Sequence, residues 1–305
     1  MKQIVAEKEA VQIGNRAFTA LLEEVYTSPK PGLVDLYSNG AHQDMNVRTF
    51  ERSAAILRPF FVEMALQGLE HYASPETLFV KIRKTGQRAE RAMYRGTGGV
   101  NTHKGAIFTL GLFSAAAGCC LAGDGVITKR RLRDIQTEMT ERSLGREIRE
   151  LRRKRGMSHG EKNFLRYGTL GIRGEAIRGY PCLWEVSLPV FRQGIAGGWD
   201  PNSVKLQTLL TLMSKTEDSN IIARHGPETL RRVQADAEGF LMAGGVYREQ
   251  GVRELILMDQ RYTAENISPG GSADLLAATI FLEKIINGCR PCRDGKQTER
   301  RSGGC

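Results

Sequence analysis

Apolar residues recur along this chain at intervals of three and four, the spacing that gathers them on one face of a helix. Ala10, Ile13, Ala17 and Leu21 form one such stripe, and Phe50, Ala54, Leu57 and Phe61 a second. Leu206, Leu209, Leu210 and Met213 make a third, Leu230, Val233, Ala237 and Leu241 a fourth, and the run from Leu275 to Ile286 closes the series. No series of alternating apolar and polar positions announces strands, and no internal repeat is visible. The pattern predicts an all-α globule of about ten or more helices, with Gly- and Pro-bearing loops between them converging on one cleft. The uncharged stretch from Gly105 to Gly123 reaches the length of a membrane span. Its Gly, Ala, Ser and Thr content favours a buried helix in a tightly packed bundle instead.

Composition narrows this picture. A chain of 305 residues allows one large core or two closely packed lobes. The expectation is one all-helical catalytic domain over residues 1–287, followed by a polar, Gly-rich tail over 288–305 that is too poor in apolar residues to fold. The N-terminus carries acidic residues and lacks the apolar core of a signal peptide. Six cysteines form no framework: Cys119 and Cys120 fall in the apolar run, and the Cys289–Cys292 pair has no second pair or histidine near it for zinc. Such usage fits a reducing cytoplasm. The net charge of +10 suits a polyanionic small molecule and suits nucleic acid equally. Much of it lies between Lys129 and Arg155, where acids interleave with bases at helical spacing; that is the pattern of a solvated helix face, with an electrostatic collar for phosphates as the sharper reading.

Two loops concentrate chemistry. Thr97–Gly105 brings together Gly98, Gly99, Asn101, Thr102, His103 and Lys104. Glycine lets backbone N–H groups approach a ligand closely, and lysine supplies a mobile charge for phosphate oxygens. The segment is no P-loop, because His103 stands where that motif needs Gly before Lys. It reads as a polyanion cradle or, blandly, as a turn entering a helix. The other loop, Ser28 to Met45, opens with two prolines and a glycine that exclude a helix. It aims Lys30 and Asp35 and carries His42 and Asp44, with a capped surface turn as its plain alternative.

These stretches, with others downstream, resemble the triphosphoribosyl-dephospho-coenzyme A synthase family. The matching blocks are SPKPGLVDLYSNGAHQDM (28–45), Glu90 with Met93, TGGVNTHKGAIFTLGL (97–112), GEK (160–162), GTLGIRGEAIRGYP (168–181), Asp218-Ser219-Asn220 and NISPGGSADLLA (266–277). They run in family order through most of the chain. One departure is His225, in Arg224-His225-Gly226, where the family often has Arg-Gly-Gly.

The resemblance implies a transfer in which ATP gives its triphosphoribosyl group to the 2′-hydroxyl of 3′-dephospho-coenzyme A and releases adenine. The product is the prosthetic-group precursor of citrate lyase or malonate decarboxylase, and a downstream prosthetic-group transferase is an implied partner. The transition state at the ribose C1 should carry oxocarbenium character, so a carboxylate is needed to stabilise charge or take the hydroxyl proton. On this footing Glu90, Asp218 and Glu175 are the catalytic candidates, Glu90 and Asp218 foremost. Lys30, Gly98, Gly99, His103, Lys104 and Arg173 would hold the triphosphate, Asn101 would bind substrate beside them, Asn220 would meet ribose, and Ser272 lies in a phosphate-binding helix start. Asp44 and Asp274 would hold the Mg2+ that accompanies ATP. Two other readings stand beside this one: a different ATP-dependent enzyme, kinase-like, on the same scaffold, and a basic nucleic-acid-binding protein. Against the latter, the loops are poor in aromatics for base stacking. No membrane partner is expected, and the oligomeric state is left open.

Overall fold

The computed structural model describes residues 2–150, 166 and 168–288. The GEK block, His159, the cysteines at 289, 292 and 305 and nearly all of the expected tail lie outside the described residues.

Twelve α-helices and no strand are present among the described residues. In chain order they are α1 (Lys2–Tyr26), α2 (Val47–Glu70), α3 (Pro75–Gly96), α4 (Lys104–Gly123) and α5 (Lys129–Glu150). After the next loop come α6 (Gly171–Ile177), a π-helical turn Cys182–Ser187 running straight into α7 (Leu188–Ala196), and α8 (Pro201–Lys215). The chain closes with α9 (Ser219–His225), α10 (Pro227–Met242), α11 (Gly251–Ala264) and α12 (Gly270–Asn287). One hydrophobic core runs from Ala10 on α1 to Ile285 on α12.

The stripes read from the sequence face that core. Ala10, Ile13, Ala17 and Leu21 are buried, as are Ala54, Leu57 and Phe61 of α2, the leucines of α8, and Leu230, Val233 and Ala237 of α10. Phe50 instead joins a small second cluster with Val25, Val34, Met45 and Val100, which ties the two chemistry-bearing loops to the end of α1.

The long apolar run is α4, the one helix among the described residues with the length and hydropathy to cross a bilayer. Protein surrounds it, with buried residues on every face from Ala106 to Cys120. Its small residues have a steric purpose. A Cβ on Gly118 would lie 2.2 Å from the Ala65 carbonyl of α2, and one on Gly68 of α2 would lie 2.0 Å from the Ala115 carbonyl. The two backbones touch there, which only glycine permits. Cys119 uses the same closeness, with its thiol 3.3 Å from the Gly68 carbonyl, and burial raises both Cys119 and Cys120 to about 12.

The basic helix α5 behaves as a solvated, paired face. Arg131 meets Asp124, Arg133 meets Glu185 and Arg142 meets Glu76. Glu147, which helical spacing would pair within its own helix, instead takes Arg83 of α3.

Candidate active site

Four helix N-termini and one helix C-terminus come together at one end of the core. The junction at the starts of α9 and α12 is made by Asp218. Its Oδ1 accepts the N–H of Asn220 at 3.0 Å, capping α9, while Oδ2 accepts the N–H of Ser272 in α12 at 3.0 Å. Gly271 leaves the carboxylate room: a Cβ there would sit 3.0 Å from it. Asp218 is 2% exposed, and burial raises its pKa against the lowering effect of these backbone donors. Ser272 is also held by a hydroxyl contact of 3.1 Å with Thr216. The start of α6 joins here through Gly171, which lies against Ser219.

Asp274, one turn into α12, reaches across to the start of α4. Its Oδ2 occupies the space a Cβ on Gly105 would need, 2.2 Å away. Burial raises its pKa well above the usual carboxylate value, and the negative charges of Glu24 and Asp218 add to that; the Ala106 N–H opposes them. Glu24, in the last turn of α1, is itself buried. Lys30 returns from the Pro-rich loop to meet it, with Nζ paired to the Glu24 carboxylate and donating to the Glu24 carbonyl at 2.8 Å. Burial pushes the Glu24 carboxyl up while the Lys30 charge pulls it down. Lys30 is matched to Glu24, so Asp274 faces the charges of Glu24 and Asp218 with no cation of its own, and that repulsion favours a cation or a proton at Asp274.

His103 completes the buried set. It is the N-cap residue of α4 and is 2% exposed. Its Nδ1 lies 2.8 Å from Ser53 Oγ on α2, and its Nε2 is buried without a hydrogen-bond partner. Burial first, and the Lys30 charge second, lower its pKa to about 3, so the ring is neutral at ordinary pH.

The mouth is more open. Lys104 pairs with Glu90 of α3, both partly exposed. Gly98 and Gly99 take positive φ values of 71° and 92° with nothing within reach of a Cβ, so their backbone is accessible. Asn101 Oδ1 accepts the Lys104 N–H at 3.2 Å, organising the entry to α4. The Pro-rich loop packs against the chain leading into α12: Gly32 N–H donates to Asp259 at 2.8 Å, and His42 Nε2 is 2.9 Å from Ser268 Oγ. His225 adds a tether, with Nε2 2.9 Å from the Asn266 carbonyl, so the departure at this position binds the loop that opens α12.

The predicted residues therefore divide. Lys30, His103, Asp218, Ser272 and Asp274 meet in the buried cluster, with Asn220 beside it against Gly270. Glu90, Lys104, Gly98, Gly99 and Asn101 form the mouth. Glu175 is engaged elsewhere, accepting from Arg178 at 2.9 Å and from the Cys182 N–H at 3.2 Å. Arg173 is half-buried on α6. Asp44 is largely exposed, 4.0 Å from His42 Nδ1. No group of three or more His, Cys, Asp or Glu side chains among the described residues is arranged to hold a metal unaided. Sequence reasoning missed Glu24 and Ser53. Both gave a signal: each is a polar residue at a core position, Glu24 three after Leu21 and Ser53 three after Phe50 and four before Leu57.

Fold and cluster together define an all-helical protein in which helix N-termini meet around buried charged side chains, with Lys104 and exposed glycine backbone at the rim. Comparison with known proteins makes this specific. The family profile described as ATP:dephospho-CoA triphosphoribosyl transferase matches residues 10–291. The chain is 41% identical over 270 residues, 88% of its length and 89% of the relative's, to the 2-(5''-triphosphoribosyl)-3'-dephosphocoenzyme-A synthase of Klebsiella pneumoniae. It is 40% identical to the synthase of the same name from Pectobacterium atrosepticum, over 89% of this chain and 88% of that one. The probable synthase of Photobacterium profundum is 36% identical over 90% of this chain and 87% of its own. No solved structure matches. The chain belongs to the ATP:dephospho-CoA triphosphoribosyl transferase family and is a transferase of that class. The kinase-like and nucleic-acid-binding readings give way to it.

Proposed function

We propose that the protein makes 2′-(5″-triphosphoribosyl)-3′-dephospho-CoA in the cytoplasm, joining the 2′-hydroxyl of 3′-dephospho-CoA to C1 of the ATP ribose. The C1–N bond to adenine breaks, the hydroxyl proton is lost and adenine leaves with the bond's electrons and a proton. The observation that carries this reading is the meeting of the α4 and α12 N-termini over Asp274 and His103, with Lys104 and the open Gly98–Gly99 backbone at the rim.

A triphosphate laid along the start of α4 would take the Gly98 N–H and Lys104, with the Gly99 N–H held by the Tyr94 carbonyl at 2.7 Å and Asn101 holding the turn. Drawing Lys104 toward phosphate would release Glu90 from its ion pair, and the freed carboxylate is our choice to receive the hydroxyl proton or stabilise the sugar cation. Lys30 contributes through its buried charge, since Glu24 holds its ammonium. Asp218 serves best as the clamp that sets α9 against α12, and Glu175 as a structural partner of Arg178. Asp274 would offer its carboxylate to the Mg2+ that ATP brings, with the phosphates supplying further oxygens, and the ion would neutralise triphosphate charge. Delivery of the product to a prosthetic-group transferase serving citrate lyase or malonate decarboxylase belongs to the same proposal.

The test is product analysis after incubation with ATP, magnesium and 3′-dephospho-CoA. Free adenine in step with a triphosphoribosylated adduct is the expected outcome. ADP or AMP in its place, or no turnover by well-folded protein, would overturn the reading.

A further inference from the structure

The imidazole of His103 is hydrogen-bonded on one side only, at Nδ1. Thr102 Oγ1 donates to Ser53 Oγ at 2.7 Å, and Ser53 Oγ lies 2.8 Å from His103 Nδ1. A serine hydroxyl has one proton to give. Its oxygen could accept twice, but with Thr102 donating into it His103 Nδ1 is the one acceptor that the described hydrogen bonds offer its proton; given there, that proton puts the ring's own on Nε2. The ring cannot easily turn to escape this. Phe50 presses on it edge-on, with centroids 4.9 Å apart and planes at 82°, and the His103 backbone N–H is spent on Met93 Sδ at 3.3 Å. Nε2 is buried and without a protein partner, and with the proton there it is an unmet donor. Such a group is costly to leave unmade and is explained most simply by a ligand acceptor.

We propose that Ser53, backed by Thr102, is a positioning residue that fixes His103 as the neutral Nε2–H tautomer, so that the ring donates one hydrogen bond to an oxygen of the ATP ribose-triphosphate at the start of α4. This rests on the transferase reading for the identity of the ligand, though not for the state of the ring. It gives His103 a different part from Lys104. The histidine brings direction and no charge, and so places an oxygen rather than neutralising it.

The test combines spectroscopy with binding. Nitrogen-15 spectra of histidine-labelled, ligand-free protein should show His103 as the Nε2–H tautomer. Thr102→Val frees the acceptor side of Ser53, and the Nδ1–H form should then become populated. In the side-chain variants, the amide nitrogen of glutamine falls near the position of Nε2 and that of asparagine near Nδ1. Calorimetry of ATP binding without dephospho-CoA should therefore find His103→Gln within about threefold of wild type and His103→Asn weaker by about tenfold or more, the worth of one buried hydrogen bond. An Nδ1–H tautomer in the wild type, or equal affinities for the two variants, would overturn the proposal. Wild-type protein that binds ATP with this pattern yet releases no adenine would sink the transferase reading and leave the relay standing.

Discussion

The α2–α4 seam and the cleft at the start of α4 lie on the same helix and are built on opposite principles. Along the seam, backbones touch through Gly68 and Gly118, and the surroundings are methyl groups, thiols and carbonyls. At the cleft, the same helix begins among Glu24, Lys30, His103 and Asp274, all buried or partly so. The seam gains stability from close packing. The cleft gives some up, because ionisable groups removed from water are costly unless fully paired, and one nitrogen there has no protein partner. The contrast teaches that α4 is a rigid post whose packed body holds a strained head in place. Local opposition to stability is tolerated where ligand binding can relieve it.

The sharpest way to break this comparison is to attack the seam. Gly118→Val sets a branched side chain against a backbone carbonyl 2.2 Å from its Cβ, which has nowhere to move. A loss of about 3 kcal/mol or more is expected from such overpacking, read as a large fall in the thermal unfolding midpoint or as insoluble protein. A stable Gly118→Val variant would show that the helices are not in backbone contact.

Next comes the buried pair. Lys30→Met leaves Glu24 uncompensated and should cost about 3 to 5 kcal/mol in denaturant unfolding. Adding Glu24→Leu should restore most of that stability, since apolar replacements of buried pairs are often neutral, while transferase activity stays low. Recovery of activity with stability would reduce the pair to a structural element. Glu90→Gln belongs to the rim and should separate cleanly from both: folding intact, and kcat down by about a hundredfold if the carboxylate acts on a proton.

The smallest effect concerns acid. His103 has a folded pKa of about 3 against 6.5 for the free side chain, so the unfolded chain binds the extra proton between those values. The contribution is therefore lost as pH falls through 6.5, and stability should drop toward pH 3. From pH 7 to 4.5 the loss from this one group is about 2 to 3 kcal/mol at most. Glu24, Asp218 and Asp274, whose carboxyls are raised, act in the opposite sense. Comparing the pH dependence of unfolding in wild type and His103→Gln isolates the histidine: the wild type should lose more stability over that window, and parallel curves would place the imidazole in water.

The helical architecture was legible because one-dimensional spacing suffices for it. Residues three and four apart share a helix face whatever the partner, so Ala10–Leu21 or Leu206–Met213 declare their helices without further knowledge. The loops 28–45, 97–105 and 266–274 were legible as chemistry because Gly, Pro and charged residues crowd there, and the family resemblance joined them to a reaction. Sequence could not decide how the charges are spent. Nothing along the chain says that α1 delivers Glu24 to Lys30, that α12 brings the Ser272 N–H to the second oxygen of Asp218, or that α3 offers Arg83 to Glu147. A periodic pattern records which face of a helix is dry, a property each segment carries alone. The partner of a charge is set by which distant segment arrives beside it, and only the packed tertiary structure determines that.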